Sequence, residues 1–377
     1  MGGNMNFDFS DEQKQLKDSA RKFLEKESTP QQVRAVLEGD AGYDKALWKG
    51  LAEMGFTGAA IPEEHGGAGL GYLELCVIAE ELGRALAPVP FSSSVYLFTE
   101  FLKVAGSDAQ KATHLPKLAA GTQIGTFAYA EGVGEVTPAR IKASVSGGKL
   151  KGTKVPVPDG GNADFAIVAA RDGGARDSLS LYLVDLNGPG VSREVVKTVD
   201  PARKQAKVTF DGAPAELLGR EGDGVALISD VYNRAAILMA FEQVGGADRA
   251  LEMARDYALQ RMAFGRPIGS FQAIKHMLAD MYVSATLARS NAYYGAWALS
   301  TGAAELPVAA ATARVSATQA FQHCSTNNIQ VHGGMGFTWQ FDCHLFYRRS
   351  NLLALTLGSQ SHWEKELIDR MRRRNAA

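Results

Sequence analysis

RMAFGRPIGSFQAIKHMLAD, residues 261–280, is the stretch on which the reading of this chain turns. Arg261 offers the planar fork that suits a pyrophosphate, Phe264 a flat apolar face, and Gly265 a bend that no side chain obstructs. Pro267 stops one helix, Ser270 stands where the next restarts, and Gln272 falls in its first turn. The spacing reads as a phosphate-and-ring clamp between two helices, and a dinucleotide is the ligand it suits. Farther along, QVHGGMGFTW (330–339) supplies Gln330 and a glycine pair, Gly333 and Gly334, where backbone can approach a ligand closely.

Around these stretches the apolar period is helical, over roughly 223–260, 271–301, 305–331 and 342–372, which predicts a four-helix bundle. The helix at 271–301 carries apolar residues on more than one face (Ile274, Met277, Leu278, Met281, Tyr282, Ala285), which suits burial in an oligomer or, equally, in one large monomeric core. Residues 1–120 are also helical, opening with Ser10 and Gln13 as a capping box behind Phe9. Between them, over 121–222, the period falls to two. Leu179, Leu181 and Leu183 alternate with Ser180, Tyr182 and Val184, and Ala206, Val208 and Phe210 with Lys207 and Thr209. Glycine-rich turns such as SGGKLKG (146–152) and PDGGN (158–162) separate the runs. The predicted fold is α+β: an N-terminal helical domain (1–120), a middle antiparallel β-sheet or barrel domain (121–222) and a C-terminal bundle (223–377).

The 377 residues are 46% hydrophobic, enough for more than one core layer, and forty basic against forty-one acidic residues leave a formal charge of −1. That balance gives no footprint for nucleic acid or for an anionic membrane surface. No apolar run approaches the ~20 residues that span a bilayer, so no membrane partner is expected. Three cysteines without a C-x-x-C pair argue against a disulfide framework, and the histidine spacing against a metal site. The chain reads as cytoplasmic.

The two opening motifs fit R-x-x-F-G-x-P-[IL]-x-x-x-Q and Q-x-x-G-G-x-G, and IPEEHGGAGLGYLELCVIAEELGRALAPVPF (61–91) is similar to an N-terminal signature found with them. In this the chain resembles the acyl-CoA dehydrogenase flavoprotein family over essentially its whole length. The resemblance implies FAD as cofactor, with Arg261, Phe264, Gln272, Gln330, Gly333 and Gly334 on the ADP half of an FAD bound in the neighbouring subunit. It implies an acyl-CoA substrate, and assembly as a homotetramer or as a heterotetramer with a second family member. An electron-transferring flavoprotein is the acceptor it implies. For the flavin ring, the family's A-[LM]-T-E-P becomes AYAEG (128–132), leaving the backbone of Tyr129, Ala130 and Glu131 as the expected contact. The W-[IV]-[TS]-N segment becomes PVPDG (156–160), so Pro156 and Pro158 replace the shielding tryptophan and the hydroxyl residue.

The family reaction is α,β-desaturation of an acyl thioester, which needs a carboxylate close to the α-proton. The two places where family members carry it fall here on Leu357 and on Ala235. Glu242, amid Leu238, Met239, Ala240, Phe241 and Val244, is the candidate catalytic acid left in the same helix, although it lies two turns, roughly 10 Å, past Ala235. Two functions follow: an FAD-dependent acyl-CoA dehydrogenase with an unconventional base, or a catalytically silent subunit that shares a flavin with a heteromeric dehydrogenase.

Overall fold

The computed structural model describes residues 9–172 and 178–376. Six helices come first: α1 (Asp11–Glu27), α2 (Pro30–Glu38), α3 (Lys45–Glu53), α4 (Tyr72–Arg84), α5 (Glu100–Ala105) and α6 (Asp108–Ala119). Strands β1 (Gly125–Ala128), β2 (Ser144–Ser146), β3 (Lys149–Pro158), β4 (Phe165–Asp172), β5 (Leu179–Asp185), β6 (Val191–Val196), β7 (Gln205–Pro214) and β8 (Glu216–Leu218) follow. After α7 (Gly224–Gln260) a two-stranded hairpin, β9 (Met262–Ala263) and β10 (Arg266–Pro267), leads to α8 (Gln272–Thr301), α9 (Leu306–His332), α10 (Cys343–Leu353) and α11 (Gln360–Ala376). Helices, then strands, then helices is the expected order. In space the chain divides into two compact units made of non-consecutive segments. One holds Met1–Gln31, Tyr72–Ala87 and Ala236–Ala377; the other holds Gln32–Gly71 and Pro88–Ala235.

In the second unit, eight strands form one sheet in the order β6-β7-β3-β2-β4-β5-β8, with β1 also paired to β4. The sheet is mixed, a correction to the antiparallel expectation: β1 and β2 both run parallel to β4. Neither is joined to β4 by a tight hairpin, and only a hairpin obliges neighbours to be antiparallel. β7 alternates as its sequence indicates, whereas β5 is buried on both faces over Leu179–Val184. Its polar members are satisfied inside, since the Ser180 and Tyr182 hydroxyls both donate to Asp172.

In the first unit, Ser10 and Gln13 form the anticipated capping box at the start of α1, and Phe9 packs against Tyr293 with ring centroids 4.9 Å apart. The bundle is built on α7. Among the described residues α7 is the one helix long and apolar enough to cross a membrane by length and composition, contrary to the expectation that no run would be. Its apolar run is core, with 61% of that window buried and residues 235–241 enclosed throughout. The helix expected at 342–372 is two helices. Between them Leu357 and Gly358 both adopt positive φ (64° and 106°), and the freed carbonyls are taken up inside: Arg314 donates to the oxygens of Leu353 and Thr356, and Trp363 Nε1 to that of Leu357 at 3.0 Å.

Glycines let α4 and α7 approach backbone to backbone. A Cβ on Gly83 would lie 1.8 Å from the carbonyl oxygen of Glu242, and one on Gly245 would lie 1.9 Å from that of Glu80. Gly246 faces the ring of Phe321 in the same way. In an isolated helix Gly→Ala adds about 1 kcal/mol of stability. At Gly245 the clash is with a backbone atom that cannot rotate away, so Gly245→Ala is expected to destabilise the protein by about 1–3 kcal/mol in denaturant unfolding. An unchanged or raised midpoint would mean that the two helices part freely.

Candidate functional site

The 261–280 stretch folds as a tight turn between two long helices of the first unit. The Arg261 N–H still bonds the Tyr257 carbonyl at 2.8 Å, and Ile268 N–H returns to the Arg261 carbonyl at 2.8 Å, closing the β9–β10 hairpin. Phe264 and Gly265 form its two-residue tip with φ of 52° and 77°, the left-handed pair that a type I′ hairpin demands. Glycine adopts this at no cost. Phenylalanine does not, yet Phe264 is 95% exposed, an apolar ring in a strained backbone conformation that meets Phe271 edge-on with centroids 6.1 Å apart. Arg266 lies over Phe271, its guanidinium carbon 4.2 Å from the ring centroid.

Helix α8 begins at Gln272, with Phe271 as its N-cap and no side chain bonded to its first N–H groups. Ser270, expected to restart the helix, instead donates its hydroxyl to the Pro267 carbonyl at 2.7 Å. The first turn of a 30-residue helix therefore keeps outward-facing donors beside exposed Gln272 and Arg261. Among the described residues no side chain holds the Arg261 guanidinium.

The second motif closes α9. Gly333 takes φ 59° and ψ −142°, a region open essentially to glycine, and a Cβ at Gly333 or Gly334 would meet nothing within 4 Å. His332 stacks on Tyr257 with centroids 4.0 Å apart, and Tyr257 lies one turn before Arg261. That stack pins the end of α7 to the end of α9 and so brings the two motifs together. An open glycine cradle, an unpaired guanidinium, a bare helix N-terminus and an uncovered ring form a donor set that fits the diphosphate and adenosine of a dinucleotide.

The ring-side segment lies in the second unit. Tyr129, Ala130 and Glu131 follow β1 and are fastened to β3: Val155 N–H donates to the Ala130 carbonyl and Gly132 N–H to the Val155 carbonyl, each at 2.8 Å. Lys154, 0% exposed, donates from Nζ to the Tyr129 carbonyl at 3.1 Å and to Glu131 Oε1 at 2.7 Å. Burial pushes the Lys154 ammonium down to about 8 although Glu131 opposes it. Burial also works against the Glu131 charge. It is outweighed by Lys154 and by the N–H groups of Ala143 and Lys142, so the carboxyl sits below its ordinary range. Burial raises Tyr129 to about 12, which keeps its phenol neutral beside Phe127 and Tyr232. A cavity of about 350 Å³ opens along Glu131–Lys142. Pro156 and Pro158 lie on β3, where the ladder to β7 breaks register between Lys154 and Val157, as residues without an N–H must.

Neither usual base position carries an acid in place. Ala235 is wholly buried, and Leu357 is the left-handed residue of the α10–α11 break. Glu242 is 2% exposed and close enough to Arg314 for its charge to be felt there: burial lowers Arg314, and Glu242 opposes that shift. Arg314, 1% exposed, donates to the Gln243 side-chain oxygen and to the Thr318 hydroxyl as well as to the two helix-end carbonyls.

Sequence reading passed over Lys154 and Arg314. Each left a signal: Lys154 shares the inward phase of β3 with Leu150, and Arg314 interrupts the small apolar run AAATARVSA (309–317).

Residues 10–122 match the family model for the acyl-CoA dehydrogenase N-terminal domain, and residues 222–370 that for the acyl-CoA dehydrogenase C-terminal domain. The chain belongs to the acyl-CoA dehydrogenase family. It is 33% identical over 351 residues to the acyl-CoA dehydrogenase IpdE2 of Mycobacterium tuberculosis, which covers 93% of this chain and 94% of that one. A variant of the Tcur3481–Tcur3483 steroid ACAD superposes with a TM-score of 0.88 at 32% identity, covering 97% of this chain and 99% of that chain. The ChsE4–ChsE5 complex from M. tuberculosis gives 0.87 at 26% identity, with 99% of each chain covered. Members of the acyl-CoA dehydrogenase family are flavoproteins, in keeping with the donor set at the two motifs.

The Tyr257–His332 stack is sensitive to pH. Burial lowers His332, opposed by its bond to the Asn328 carbonyl, so the folded protein favours the neutral ring. The unfolded chain takes up this proton near its ordinary value of about 6.5 while the folded chain resists, so stability is lost as pH falls below that value. His332→Phe keeps a ring in the stack and cannot titrate. Between about pH 7 and pH 5 its Tm is expected to fall less than that of the wild type; parallel curves would remove His332 from the acid response.

Proposed function

We propose that this chain is an FAD-binding subunit of a heteromeric acyl-CoA dehydrogenase, supplying flavin contacts while a second family member supplies the catalytic carboxylate. The observation that carries this reading is a disparity within the first unit. The residues expected on the ADP half are all present, whereas Leu357 is apolar and Glu242 is buried. Two structural relatives, the Tcur3481–Tcur3483 ACAD and the ChsE4–ChsE5 complex, are named for two components, which favours assembly with a second chain. An exposed apolar face on α8, with Tyr282, Val283 and Leu287, supports assembly too.

In this reading Arg261 pairs its fork with the diphosphate of an FAD bound in the neighbouring subunit, and Gln272 and the first N–H groups of α8 add donors. Phe264 covers an apolar face, and Gly333 and Gly334 admit the nucleotide against bare backbone. The Tyr129–Glu131 backbone faces the ring system. FAD supplies the two-electron oxidation by which an acyl-CoA thioester is desaturated. Removal of the α-proton falls to the partner's carboxylate, and electrons leave to an electron-transferring flavoprotein.

The second reading, an enzyme active alone through Glu242, is separated from this one by anaerobic mixing with a panel of acyl-CoA thioesters while flavin absorbance is followed. The purified chain alone is expected to leave the flavin oxidised. The chain assembled with a family member that carries the carboxylate is expected to bleach, and Glu242→Gln in this chain to change the bleaching rate little. Bleaching by the chain alone that is lost in Glu242→Gln would overturn the subunit reading and make Glu242 the base.

A further inference from the structure

A lysine with no exposed surface is an expensive way to fill a sheet interior. An apolar residue of similar volume serves as well or better for stability, whereas a buried ion pair is useful chiefly where it specifies one geometry. Lys154 makes such a pair, and both acceptors of its ammonium belong to one short segment. Its ammonium holds the Tyr129 carbonyl and the Glu131 carboxylate. That carboxylate accepts the N–H groups of Lys142 at 2.7 Å and Ala143 at 3.0 Å, tying in the chain that enters β2. The next residue on β3, Val155, binds the backbone on either side of Glu131. Residues 129–132 are thus gripped at successive backbone positions from one side, and the grip closes through a single nitrogen.

We propose that Lys154 is a positioning residue for the flavin ring: through the Tyr129 carbonyl and the Glu131 carboxylate it sets the backbone of residues 129–131 that faces the cofactor. The inference rests on the flavin-binding reading above and adds a residue to it. Pro156 and Pro158 stand where an N–H or hydroxyl group is otherwise available on β3, so the ring-side geometry falls to the opposite segment and to the lysine that fixes it. Lys154 touches no reacting atom. Its effect reaches the cofactor by way of the chain it holds.

The test uses the full-length protein, with any partner it requires, reconstituted with FAD. FAD affinity, the visible flavin spectrum and Tm are measured for the wild type, for Lys154→Met, and for Lys154→Met combined with Glu131→Gln. Lys154→Met leaves the Glu131 carboxylate without its ammonium and is expected to lower Tm, weaken FAD binding about tenfold and shift the flavin bands. The double variant removes the stranded charge, so Tm is expected to recover while FAD affinity and the spectrum do not. Wild-type affinity and spectrum in Lys154→Met would overturn the inference. Recovery of all three quantities together in the double variant would also overturn it, by showing that the pair serves stability alone. If Lys154→Met does not fold, the double variant carries the same decision. A wild-type protein that takes up no FAD contradicts the functional reading itself, and the positioning role falls with it.

Discussion

The closeness with which α7 lets its neighbours approach governs the first unit. With glycine at 83 and 245, each backbone meets the partner's carbonyl oxygen where a side chain would otherwise stand, so α4 and α7 are fixed in register as well as in contact. The acids on these helices follow from that register. Glu80 is buried against Lys17 at 2.9 Å and Arg289 at 3.1 Å, Glu81 against Arg21 at 2.7 Å, and Arg84 reaches Glu252. A carboxylate carried into such an interior is tolerated only with a cation beside it. Glu242 is buried in the same interior, where its charge opposes the burial-driven lowering of Arg314.

Much of this was legible from residue pattern. The capping box at Ser10 and the helical periods over 223–260, 271–301 and 305–331 rest on local chemistry and stand in the fold. The features that were not legible depend on partners distant in sequence. The α10–α11 break is marked locally by Gly358 alone, and it is completed by Arg314 reaching the carbonyls of Leu353 and Thr356, about forty residues away. The strand β5 looks half-exposed because Ser180 and Tyr182 alternate with leucines; their acceptor, Asp172, is on β4. The parallel pairing of β1 and β2 with β4 is a matter of chain path, to which a two-residue period is blind.

The candidate site divides along the same line. Arg261, Phe264 and Gln272 are linked by a short hairpin whose geometry follows from Phe264-Gly265, so motif spacing and structure agree. Gln330, Gly333 and Gly334 lie beside one stack, His332 on Tyr257, that joins the end of α9 to the end of α7 and is invisible in sequence. On the ring side, the sequence shows what is missing, the threonine and the tryptophan, and conceals what is present. Lys154 reads as an ordinary strand lysine until its burial and its two acceptors are known.

On the proposed reading the solvent-facing clamp at Arg261 holds a flavin nucleotide, although Ala235 and Leu357 stand where family members carry the base. FAD affinity of the assembly in which the chain purifies, compared between wild type and Arg261→Ala, tests it most directly. A charge-assisted contact of this kind contributes about 1.5–3 kcal/mol, so a loss of roughly ten- to hundredfold is expected, with Tm of the flavin-free protein unchanged because the exposed Arg261 guanidinium is held by no side chain among the described residues. Equal affinities in the two proteins would contradict it.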